Sequence, residues 1–219
     1  MTVHYRSLLD RDITNLCDKT QQLSSMVITA LDQAMESLYA RDLELAQQVI
    51  ANDREVNALR YLIEEECLRT LATQQPAAID LRTVVATTHI AGELERIGDH
   101  ATSIADVVER MEEEEQVASW HKLPKMAKHA RRMVQQSVRA FVEHDDDMAF
   151  QIMRREEKMD KHYDRLFHEM LREMRDEAYV QRATFLLWVG RHLERAGDRA
   201  TNISERVIFL ATGRFVEIA

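Results

Sequence analysis

From Leu9 onward, apolar or small residues recur at Ile13, Leu16, Thr20, Leu23, Val27, Ala30, Ala34 and Leu38. The steps alternate between four and three, which is the seam of a long helix packed along its length against others. Asp42 opens a second helix, whose apolar positions are Leu45, Val49, Val56, Leu59, Ile63, Cys67 and Leu71, and Pro76 breaks it. Asp80 falls in the first turn of a third helix, which runs to the acidic stretch at 112–115.

The pattern then begins again. A shift of 103 residues superimposes Leu23, Val27, Ala30, Ala34 and Leu38 on Met126, Ala130, Met133, Ser137 and Phe141, and Asp42 on Asp145. A shift of 99 lays Leu94-Glu-Arg-Ile-Gly-Asp-His-Ala-Thr-Ser-Ile104 over Leu193-Glu-Arg-Ala-Gly-Asp-Arg-Ala-Thr-Asn-Ile203, with 8 of 11 positions identical. Self-similarity at a fixed period marks a repeat architecture. The pattern predicts an all-α protein: a tandem repeat of two three-helix bundles, six long helices in all. The units span residues 1–112 and 119–215, joined by an acidic linker (113–118) whose end is marked by Pro124.

Composition agrees. A chain of 219 residues with 5 Gly and 2 Pro has few residues for hairpins or long loops, which leaves long helices. The formal charge of −9 opposes a general nucleic-acid binder. One basic run, Lys122, Lys125, Lys128, Arg131 and Arg132, reads either as a solvated helix face or as a docking patch for an acidic partner. Cys17 and Cys67 form no CxxC or secreted-type framework and read as reduced core thiols. No secretory signal opens the chain, and apolar runs such as Phe185–Val189 are far shorter than the ~20 residues of a membrane span. The expected compartment is the cytoplasm, without membrane insertion.

The third helix of each unit carries the candidate chemistry. Glu95, Asp99, Thr102 and Asp106 lie within about 60° of one another on a helical wheel, roughly opposite Ile90, Leu94, Ile97, Ala101, Ile104 and Val108. Glu194, Asp198, Thr201 and Glu205 repeat that stripe. The apolar face must meet the bundle core, so the acids point away from it. Each second helix adds a pair at the same spacing, Asp53/Asn57 and Glu156/Asp160. Oxygen donors gathered in this way suit hard cations. The alternative is an ordinary polar face in which Arg96–Asp99 and Arg195–Asp198 form i,i+3 ion pairs. Gly98 and Gly197, each costing about 1 kcal/mol relative to Ala in a helix, imply close approach of something, a neighbouring helix included. There is no Glu-x-x-His, HExxH, phosphate-cradling glycine loop or nucleophile elbow, and the nine histidines are scattered, His100 and His192 lying well off the stripe.

At the two Leu-Glu-Arg-x-Gly-Asp-x-Ala-Thr segments the sequence resembles the PhoU family, bacterial regulators accessory to phosphate transport. Pro76-x-x-x-Asp80-Leu-Arg82, Leu186–Asp198 and Asn202-Ile-x-Glu205 extend the likeness over nearly the whole chain. The resemblance implies E(D)xxxD motifs carrying metal clusters on paired three-helix bundles. It also implies a non-enzymatic, negative regulator of the phosphate-starvation response. Such a protein links the ATPase subunit of the phosphate ABC transporter to a membrane sensor histidine kinase, often as a homodimer. Carried over by motif, the metal-site residues are Asp53, Asn57, Glu95, Asp99, Glu156, Asp160, Glu194, Asp198 and Asn202, for iron, zinc, manganese or magnesium. Asn57 departs from the acidic second position, and Ser103 stands where the other half has Asn202, which weakens the first site. The alternative function is a metal-dependent helical-bundle enzyme.

Overall fold

The computed structural model describes residues 2–111 and 120–214. The 113–118 linker, the acidic stretch at 112–115 and the outer bounds of both units (1, 112, 119 and 215) lie outside the described residues. Among those described are six long helices and no strand: α1 (Thr2–Ala40), α2 (Leu43–Gln74), α3 (Ala78–Arg110), α4 (Leu123–Glu143), α5 (Asp146–Glu173) and α6 (Val180–Thr212). The fold is all-α. Pro124 sits in the first turn of α4, where its missing N–H costs nothing. A single 3₁₀ turn, Glu177–Tyr179, precedes α6 and has no counterpart in the sequence reading.

Helix boundaries follow the repeat. The Asp42 carboxylate accepts the Leu45 N–H at 3.0 Å, and Asp145 accepts that of Met148 at 2.8 Å. Each cap satisfies one of the orphan donors at a helix start. The residues just before them, Arg41 and His144, are both left-handed with φ of 54°. That conformation lets the Asp42 and Asp145 N–H groups close back on Ser37 O and Ala140 O, each at 2.9 Å. A side chain in this region is strained by roughly 1–2 kcal/mol. His144→Gly is therefore expected to raise stability by about 0.5–1 kcal/mol, read as a higher urea midpoint at unchanged slope.

The third-helix apolar stripes are the core: Ile90, Leu94, Ile97, Ala101, Ile104 and Val108, with Val189, Leu193, Ala196, Ala200, Ile203 and Val207, are all buried. Within the first unit α1, α2 and α3 pack on one another, and α4, α5 and α6 do so in the second. The two units also join. α3 packs along α6 and α1 along α4, so α1, α3, α6 and α4 form a ring with α2 and α5 outside it. Near one end of the α3–α6 seam, Arg82 Nε donates to Leu210 O at 2.9 Å; further along, Arg199 lies 3.4 Å from Glu93, and then His100 Nδ1 3.4 Å from His192 Nδ1. Numbers rise on one helix as they fall on the other, so the pair is antiparallel. Outside the ring, Lys19–Glu66 (2.9 Å) ties α1 to α2, and Lys122–Glu169 (3.1 Å) ties α4 to α5 at the same 103-residue offset.

Candidate functional site

The acid pairs lie at the α2–α3 and α5–α6 edges. In the first unit Gly98 brings α2 close: a Cβ there would stand 3.2 Å from Val56 Cγ1 and 3.6 Å from Asp53 Oδ1. Close approach of a neighbouring helix is thus what the mid-helix glycine serves. The Asn57 amide donates to Asp53 Oδ2 at 2.7 Å, while Asp53 Oδ1 is buried without a partner. Burial, then Asp99, pushes the Glu95 carboxyl above its ordinary pKa; burial, then Asp53, does the same to Asp99.

The second unit gathers more charge. Burial and then Asp198 push Glu194 to about 7, although Arg191 opposes the shift from 2.6 Å away. Asp198 is raised by burial and by Asp160, and Glu156 by burial and by Asp198. Asp160 is raised by burial and then by Asp164. Glu194 Oε2 is buried without a partner. The acids lie off the apolar stripe, but not all of them are open to solvent. Asp99 and Asp160 are exposed, but the Glu194 side chain is only 12% exposed.

Eight of the nine expected residues therefore fall into two groups: Asp53, Asn57, Glu95 and Asp99, then Glu156, Asp160, Glu194 and Asp198. Asn202 joins neither. Its amide donates to Glu93 Oε2 at 3.0 Å across the α3–α6 seam. Of the ion pairs of the plain polar-face reading, Arg96 turns to Glu93 at 3.0 Å rather than to Asp99, and the ion pair on the second stripe is Arg191–Glu194 at 2.6 Å. Among the described residues no three His, Cys, Asp or Glu side chains converge into a ready-made metal cage. Asn57 holds one Asp53 oxygen and Arg191 one Glu194 oxygen. The donor set nonetheless fits a hard cation. It is acceptor-rich, its carboxyls are raised first by burial and then by neighbouring carboxylates, and it retains two buried unpartnered oxygens.

Sequence reasoning missed Glu93, which gathers Arg96, Arg199 and Asn202. Under the 99-residue shift, Glu93 corresponds to His192 and His100 to Arg199. One pair of equivalent positions is thus Glu–Arg at one point of the seam and His–His two turns away. Cys17 and Cys67 have thiols pushed up to about 11 by burial, which keeps them protonated and unreactive. Of the basic run, Lys122 and Arg131 pair with Glu169 and Asp32, and Lys125, Lys128 and Arg132 are exposed. No described helix is long and apolar enough to cross a membrane.

The PhoU domain family matches residues 20–108 and 123–207, one copy in each unit. The chain belongs to the PhoU family. The phosphate-specific transport system accessory protein PhoU homolog of Clostridium acetobutylicum is 33% identical over 97% of this chain and 98% of its own length. The crystal structure of the phosphate transport system regulatory protein PhoU from Streptococcus pneumoniae superposes with a TM-score of 0.89 at 31% identity. It covers 96% of this chain and all (100%) of that one. The crystal structure of PhoU from Pseudomonas aeruginosa gives 0.88 at 31% identity, over 94% and 99% of the two chains. These PhoU relatives are named as regulatory or accessory proteins rather than as enzymes, and the enzymatic alternative gives way.

Proposed function

We propose that this PhoU-family chain is a cytoplasmic negative regulator of the phosphate-starvation response and of phosphate uptake. It acts by docking on the ATPase subunit of the phosphate ABC transporter and on a sensor histidine kinase. The observation that carries the reading is the match of both units to one family, over nearly the full length of relatives named for phosphate transport. The ring of four long helices, flanked by α2 and α5, gives two related rigid faces, and two faces can engage two partners at once. Homodimerisation would double that valency.

The two carboxylate groups support a metal-bound form of the regulator. Glu95 and Asp99 with Asp53, and Glu194 and Asp198 with Glu156 and Asp160, would hold the ions. All-oxygen donors favour magnesium, manganese or ferric iron over zinc. A bound ion would supply the positive charge these groups lack. Asn57 provides a neutral oxygen where Asp160 provides a charged one, so the first site binds more weakly. The test is affinity capture of the tagged chain from cells grown in plentiful phosphate. Enrichment of the transporter ATPase and the kinase supports the reading, and recovery of neither sinks it.

A further inference from the structure

On α4 the exposed cations Lys125, Lys128, Arg132 and Arg139 keep the three-four spacing of one helix side, with Gln135 in the one gap. On α5, Arg154, Lys158, Lys161, Arg165 and Arg172 do the same, with His168 in the gap. Each set is a straight row along its helix, about 21 Å long on α4 and about 27 Å on α5. The α4–α5 seam beside them is marked by His129, whose ring is bonded to Arg155 O at 3.1 Å and lies 6.3 Å from that of His162. Burial holds both rings below the ordinary histidine pKa. Lys158 and Arg132 add to this at His129, and Lys158, Arg165 and Lys125 at His162. Cations of each row thus act on a ring of the other helix, so the two rows flank one seam on one face.

Little on this face cancels the charge. Lys161 and Arg139 have partners one turn away, Glu157 at 2.6 Å and Glu143 at 2.9 Å. Among the described residues Lys125, Lys128, Arg132, Arg154, Lys158 and Arg165 form no ion pair. Asp147 lies by the α4–α5 turn, and Glu169 is taken by His121 and Lys122. Nor does the fold ask for these rows. At the 103-residue offset the α4 row becomes Gln22, Ser25, Thr29 and Glu36, and the α5 row becomes Ala51, Glu55, Ala58, Leu62 and Arg69. Helices α1 and α2 pack together with that single cation in place of two rows. Like charges three and four residues apart repel, so the second unit carries its rows against a local cost.

We infer that the α4–α5 face docks the chain on an anionic lipid bilayer. Charge complementarity requires an anionic partner, and the make-up of the face selects the bilayer. A specific protein interface has an apolar or aromatic centre and is poor in lysine. Phe167 and Leu171, exposed on α5, lie more than about 100° around the helix from its row, so they give the face no such centre. A bilayer needs none: each Lys or Arg brought to an anionic leaflet tightens binding by about fivefold through the field alone. Phe150, 40% exposed, stands one turn before Arg154, and its counterpart in the first unit is Gln47. It borders the face as an aromatic side chain at headgroup depth does. The formal charge of −9 repels the rest of the surface from the same leaflet and so fixes which face approaches.

The experiment is sedimentation of the full chain with lipid vesicles, in chelator so that no cation bridges a carboxylate group to lipid. Phosphatidylcholine vesicles containing about 30% phosphatidylglycerol bind the wild type, and phosphatidylcholine alone does not. Raising salt from about 0.1 M to about 0.5 M weakens binding by about tenfold or more. The triple variant Lys125→Gln, Arg132→Gln, Lys158→Gln loses about tenfold or more. The control Arg11→Gln, Arg54→Gln, Arg69→Gln has the same net charge, altered away from the face, and keeps wild-type binding. All six residues are exposed, so both variants fold. Failure of the wild type to bind anionic vesicles, or equal binding by the two triple variants, overturns the inference. Tighter binding to polyglutamate or duplex DNA at equal charge concentration also overturns it, assigning the face to an acidic protein or a nucleic acid. The regulatory reading is tested separately by affinity capture, so either can fail alone.

Discussion

Replacing Glu194 by Gln together with Asp198 by Asn is expected to abolish cation uptake by the second unit and to stabilise the metal-free protein. The Glu194 carboxyl rises from 4.5 to about 7, so it binds its proton more tightly in the folded protein than in the unfolded chain. Wild type therefore loses the contribution of this group as pH rises through that window, and the amide variant does not. Each pKa unit is worth about 1.4 kcal/mol, and partial screening by water brings the expected gain to about 1–3 kcal/mol above pH 7. Removing ordinary surface acids would change stability by only about ±0.5 kcal/mol. The measurement is the difference in unfolding free energy between variant and wild type across pH 4.5–8, beside elemental analysis of both. The difference must be used because His100, pushed down to about 4 chiefly by burial, contributes in the opposite sense over part of the range. A difference that does not grow with pH, or an unchanged metal content, returns the stripe to a plain polar face.

Gly190→Val is expected to cost about 2–4 kcal/mol, the largest loss from any glycine substitution in the chain. A Cβ at 190 would overlap Leu166 Cδ2, while Tyr163 Cδ2 at 3.4 Å is in ordinary contact. Leu166 is fully buried beneath α6, so it can yield only by displacing its core neighbours. Gly197→Ala is the control on the same helix. Its Cβ would meet Met159 at an ordinary 3.4 Å, so the gain in helix propensity, up to about 1 kcal/mol, should show. Urea unfolding of the two variants checks both signs at once. Equal stability of Gly190→Val and wild type would mean that α5 is not seated on α6 at Leu166.

The helices and the two acid groups were legible because each rests on local periodicity that the duplication prints twice. The four-three steps placed Leu23, Val27 and Leu38 correctly in the core, and the ExxxD spacing placed Glu95 with Asp99 and Glu194 with Asp198. Periodicity was weaker on α2. Leu45 and Leu59 are only part-buried, Ala46 takes the buried position, and Tyr61 and Leu68 are exposed at 62% and 68%. The α3–α6 seam was not legible. It is built from Glu93, His100, His192 and Arg199, polar residues that read as solvated until a second helix is laid against them. The partner of Asn202 was hidden for the same reason: it is Glu93 on the opposing unit.

The central claim is that the chain restrains phosphate-starvation genes when phosphate is plentiful. The direct measurement is a reporter for those genes in phosphate-rich medium, compared among the parent strain, a deletion of this gene, and the deletion carrying the wild-type copy. High expression is expected in the deletion strain, with silence restored on complementation. A deletion strain whose reporter follows external phosphate as the parent's does would contradict it.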